Sequence, residues 1–113
     1  MNENEERIML AIDLPILLDQ LCAGYIEVHK ELFELEAKWI VLIQQVKEAY
    51  LEFRGTIYED EEALEAGKEA YNDILSETSV QSKWLETRQK ALKIQENKLA
   101  EQILEVENRL VTL

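Results

Sequence analysis

The chain is poor in the residues that break or staple a fold. One proline and three glycines in 113 residues exclude a turn-rich β architecture and leave room for long helices. The lone cysteine, Cys22, has no partner for an internal disulfide, which fits a reducing compartment. The lone histidine, His29, stands seven residues further on, roughly 10 Å along a helix, so the two cannot share one ion. Ile26 occupies the position three before His29, so the Glu-x-x-His pairing of di-iron and di-manganese bundles is missing. Four zinc ligands cannot be assembled from one Cys and one His. No glycine-rich phosphate loop and no G-x-S-x-G elbow occurs. The expectation is therefore no catalytic, metal or cofactor site, with Cys22 and His29 packing at the edge of a helix seam.

Long unbroken apolar runs are also missing. No run exceeds the five residues of Trp39 to Ile43, far too short to span a bilayer. Glu3, Glu5 and Glu6 stand where a secretory signal carries lysines. Basic residues are scarce, twelve against twenty-four acidic ones, for a formal net charge of −12. That excess repels phosphate and anionic lipid. We expect a soluble cytoplasmic protein that contacts neither nucleic acid nor membrane directly.

What is present is helical periodicity. From Pro15 to Arg54, apolar residues fall at Leu18, Leu21, Tyr25, Val28, Leu32, Leu35, Trp39, Leu42, Val46, Ala49 and Phe53. The spacing alternates three and four, a heptad seam. Ile26, Phe33 and Ile40 widen it on one side, and Cys22, Ile43 and Tyr50 on the other. A stripe this broad predicts contact with at least two other helices.

Breakers and caps divide the rest. A short helix over 5–14 is expected to stop before Pro15, because the residue preceding proline avoids the α region. Pro15 then opens the long helix 15–54, and Gly55 is placed as its C′ residue. Thr56 and Glu59 form a T-x-x-E capping box that predicts a helix over 57–77. In it, Gly67, Ala63 and Ala70 would allow close approach to the long helix. Thr78 and Gln81 repeat the box, leaving open whether a separate coiled-coil-like helix over 80–112 follows or one bent helix continues. The predicted fold is all-α: a long amphipathic helix in an antiparallel helical hairpin or three-helix bundle with coiled-coil character.

Two surfaces are candidates for function. The seam centre, Leu32, Leu35, Trp39, Leu42 and Val46, is the candidate binding site for a second copy or a helical partner chain. A helix over 57–77 covers only about half of one over 15–54 at equal rise per residue, so something else must cover the remainder. The second surface is acidic: Glu59, Asp60, Glu61, Glu62, Glu65 and Glu69, continued by Asp73 and Glu77 and offset only by Lys68. Acids in a first helical turn are favoured by the macrodipole, and the same charges could imitate nucleic-acid phosphates. Residues 80–113 are mildly basic by contrast, which would allow head-to-tail pairing with an acidic body.

The bend Phe53-Arg54-Gly55 is similar to the Trp-x-Gly turn of small secreted helical hairpins, with phenylalanine in place of tryptophan. That resemblance implies an export partner of a secretion system. The residues themselves favour a non-enzymatic protein–protein interaction module, with an acidic inhibitor of a DNA- or RNA-binding protein as the alternative.

Overall fold

The computed structural model describes residues 2–113. They form two helices, α1 (Glu3–Gly55, 53 residues) and α2 (Glu61–Val111, 51 residues), and no strand occurs among the described residues. Joined by the segment 56–60, the helices make the expected all-α helical hairpin.

Pro15 does not divide the first helix. It sits inside α1 with helical residues on both sides, so the separate helix over 5–14 is replaced by one continuous element. A proline costs its own N–H bond and crowds the preceding turn. Here Leu14, immediately before it, is buried at 3% exposure, and Leu18 is half-buried on the same face. Packing on both sides of the proline holds the backbone helical across it. The start of α1 is capped by Asn2, whose side-chain Oδ1 accepts the Glu5 N–H at 2.8 Å.

The second helix begins four residues later than the Thr56 box predicts. Asp60 is the true cap: its Oδ1 accepts the Ala63 N–H at 2.8 Å. The Thr56 hydroxyl instead donates back to the Glu52 carbonyl at 2.6 Å. Thr78 behaves likewise, donating to the carbonyls of Ile74 and Leu75 at 2.9 and 3.1 Å. A threonine turned back onto the preceding turn starts nothing, and α2 runs unbroken through the expected junction between helices 57–77 and 80–112. Gly55 is the last residue of α1, and no described glycine has positive φ, so it does not act as a left-handed stop.

The hairpin falls into two units, each combining a stretch of α1 with a stretch of α2. In the unit Glu34–Gln89, Leu35, Leu42 and Ala49 from α1 and Thr78 and Leu85 from α2 are buried. In the unit Met1–Phe33 with Lys90–Leu113, the buried residues are Leu14, Val28, Leu92 and Val106. These positions recur at multiples of seven along each helix, with half-buried residues such as Leu32, Trp39 and Val46 between them. Gly24 faces Leu99 at ordinary packing distance, 3.8 Å from a Cβ built at Gly24 to the Leu99 methyls.

Aromatic rings close the bend. Phe53 stacks on Tyr71, centroids 5.4 Å apart and planes 10° apart, and meets Tyr58 at 5.9 Å. Tyr58 donates its hydroxyl to the Phe53 carbonyl at 3.1 Å. Gly67 makes room for that ring: a Cβ there would stand 2.6 Å from Tyr58 Cε1 and from its hydroxyl oxygen. The glycine expected to admit the long helix admits the connecting segment instead. Gly67→Ala in the wild-type background therefore sets a helix-propensity gain of up to about 1 kcal/mol against a displaced Tyr58. In a Tyr58→Ala background only the gain remains. A double-mutant cycle in urea should show coupling of about 1 kcal/mol between the two positions; additive effects would mean the ring is not held there.

Candidate interaction surface

The five seam residues are divided by their burial. Leu35 and Leu42 are buried at 3% and 6% exposure, while Leu32, Trp39 and Val46 are half-buried. Within the unit Glu34–Gln89, the seam centre is thus largely occupied by the chain's own second helix.

The flanks are not. Nineteen large hydrophobic side chains are exposed among the described residues, and twelve of them lie on α1. Ile26, Phe33 and Ile40, the residues that widen the stripe on one side, are 63%, 73% and 63% exposed. On the other side, Ile43 and Tyr50 are exposed as well. At 51 residues against 53, α2 matches α1 in length, so the expected shortage of cover along the helix does not exist. The shortage is around its circumference: one neighbouring helix covers one face.

Of the open grooves beside the buried line in the unit Glu34–Gln89, two are mainly apolar. One, of about 570 Å³, runs between Lys38, Val41 and Gln45 of α1 and Val80, Gln81 and Trp84 of α2. The Lys38 ammonium lies 5.6 Å from the Trp84 ring centroid, within cation–π range. Val41, Val80 and Trp84 are more than half exposed, which makes this an apolar floor with one cationic rim. The other groove, about 350 Å³, is lined by Trp39, Ile43, Val46, Leu75, Ser79 and Ser82.

Trp39, in the wall of that second groove, carries an unpaired group. Its indole Nε1 is buried and has no hydrogen-bond partner. A buried donor left unsatisfied costs about 1–3 kcal/mol. Trp39→Phe removes the donor while keeping a large ring, so its unfolding free energy in urea should stay within about 1 kcal/mol of wild type. Trp39→Ala should lose about 3 kcal/mol. A large loss in Trp39→Phe would show that the N–H has an acceptor.

In the unit Met1–Phe33 with Lys90–Leu113, His29 of α1 meets Glu96 of α2 at the edge of the packed line. His29 Nε2 stands 3.1 Å from Glu96 Oε2, with side-chain exposures of 52% and 14%. The distance is short, yet Oε2 has no aligned hydrogen bond, so we read the contact as electrostatic proximity. Lys93 approaches the other carboxylate oxygen at 3.7 Å, and Tyr25 tilts against the His29 ring at 4.5 Å between centroids. The sequence gives no local sign of this pairing, because the partners are far apart along the chain. Cys22 is free and half-buried, and among the described residues no three Cys, His, Asp or Glu side chains gather as a cation site.

The six residues of the acidic candidate surface are all solvent-exposed. Glu59, Asp60, Glu61, Glu62, Glu65 and Glu69 are exposed. Asp60 is engaged as the cap of α2, and Glu65 meets Lys68 at 3.4 Å. The N-terminal part of α1 adds a feature that counting unbroken runs overlooks. An 18-residue stretch has mean hydropathy 1.5 with no more than two charged residues, and 6% of it is buried. By length and composition alone, that stretch is sufficient to cross a bilayer. Comparison with protein-family models, with curated proteins and with solved structures finds no match to this chain.

Proposed function

We propose that the chain is a non-enzymatic helical interaction protein, an adaptor, regulator or assembly partner, that completes a helical bundle with helices from another chain. The supporting observation is the apolar circumference of α1, twelve of whose large hydrophobic side chains stay exposed beside a single neighbour. Large apolar side chains left exposed in such number on one helix point to contact sites. The three-helix bundle and coiled-coil packing expected of the chain would then arise between chains. In this reading the protein works in the cytoplasm, without cofactor, nucleic acid or lipid.

The test is capture from extract of the native host, using the full chain and a Val41→Glu/Trp84→Ala variant. Both positions are exposed, so the fold should change by no more than about 0.5 kcal/mol per site. A protein held by the wild type and lost by the helical variant supports the reading. Identical retention by both, or a monomeric wild type that holds nothing, defeats it.

The exposed run of Glu61, Glu62, Glu65 and Glu69 supports the acidic-inhibitor reading as the second one. Reversing those four to lysine should abolish inhibition of a nucleic-acid-binding target while leaving helicity intact. Undiminished inhibition would remove that reading.

A further inference from the structure

On the face of α1 turned away from α2, a second set of residues repeats with four–three spacing: Ile16, Asp19, Ala23, Ile26, Lys30 and Phe33. All six are exposed, Ile16 at 54%, Ile26 at 63% and Phe33 at 73%. At 3.6 residues per turn they lie across the helix from Leu14, Leu21 and Val28, which pack toward α2. An α1 with a seam on each side has room for two neighbours, and the unit Met1–Phe33 with Lys90–Leu113 supplies one.

The two charges in this outer stripe select the occupant. Neither Asp19 nor Lys30 has an ion-pair partner within the chain among the described residues. A charge in a helix–helix seam is costly unless matched across it, and for that reason specifies orientation and register. The midpoint of Asp19 and Lys30 falls between residues 24 and 25. A second copy laid antiparallel about that point sets Asp19 against Lys30 of the second copy, and the reverse. The same register sets the small Ala23 against Ile26, and the apolar Ile16 against Phe33. Each pairing joins the two alternating seam positions, as antiparallel helices require.

Other arrangements lose this match. Parallel copies set Asp19 against Asp19, Lys30 against Lys30 and Ala23 against Ala23. An antiparallel shift of one heptad leaves Asp19 facing alanine in one direction, or Lys30 facing isoleucine in the other. Only the register centred between residues 24 and 25 neutralises both charges.

We propose that the outer stripe of α1 is a homodimer seam, in which two copies pair antiparallel about a two-fold axis through two Asp19–Lys30 ion pairs. The pairing is isologous and therefore closed. It rests on the interaction reading above and names the partner as a second copy of this chain.

Sedimentation of the full chain at micromolar concentration tests it, with circular dichroism to confirm helicity. The wild type should sediment as a dimer. Asp19→Lys and Lys30→Asp should each weaken dimerisation about tenfold or more, because each leaves two like-charge contacts. The double variant Asp19→Lys/Lys30→Asp should restore the dimer. Single variants that dimerise as well as wild type, or a helical double variant that stays monomeric, overturn the proposal. A monomeric wild type overturns it too, but leaves the interaction reading intact if that chain still retains a host protein through Val41 and Trp84. A monomer that binds phosphatidylcholine vesicles, and loses them on Ile26→Glu, overturns it in favour of a lipid surface.

Discussion

Leu92→Ala is expected to lower the unfolding free energy by about 3 kcal/mol, within the 2–5 kcal/mol typical of leucine truncation in a core. Leu92 is the most deeply buried large side chain, at 1% exposure. Truncation removes apolar area and leaves a cavity that two packed helices can only partly close. For a chain of this size that loss is a large share of total stability. Two residues along, Ile94 is 70% exposed, and Ile94→Ala should stay within about 0.5 kcal/mol of wild type. Urea melts of the pair provide the check. Equal midpoints for the two variants would mean that α2 presents a different face to α1.

Glu96→Leu should have the opposite sign, raising stability by about 2 kcal/mol. The carboxylate occupies a position of the packed line at 14% side-chain exposure, where desolvation opposes its charge. Its compensation is weak: His29 comes close without an aligned hydrogen bond, and Lys93 stands 3.7 Å away. Replacing the acid strands no buried charge, because His29 and Lys93 are both more than half exposed. Leucine would also join Leu92 and Leu99 on the same packed line. Thermal or urea unfolding decides the sign. A Glu96→Leu chain less stable than wild type would show that the His29–Glu96 contact is net favourable.

The periodic positions were legible because helical burial follows from spacing alone. Leu14, Val28, Leu35, Leu42 and Ala49 are buried, and all but the first belong to the three–four series read from the sequence. Boundaries were less legible, because a capping motif and a back-bonded threonine share the same letters. Thr56 and Thr78 both matched a box, yet both donate to carbonyls of the turn before them, while Asp60 holds the cap. Pro15 misled for a related reason: a local cost marked a break that packing at Leu14 and Leu18 overrides.

The candidate site shows the same division. The width of the stripe, with Ile26, Phe33 and Ile40 outside the main seam, was visible in the sequence and pointed to more than one neighbour. The identity of the free face was not. Seam centre and flank are both apolar on paper, and only the position of α2 determines that Leu35 and Leu42 are covered while Phe33 is exposed.

The sequence by itself determined an all-α chain and the seven-residue recurrence of its buried positions, because composition and period act locally. Tertiary structure decided the continuity of both helices, the contact between His29 and Glu96, and which side of α1 remains open. Those depend on which distant residues meet, and spacing along one helix carries no information about the face its neighbour will take.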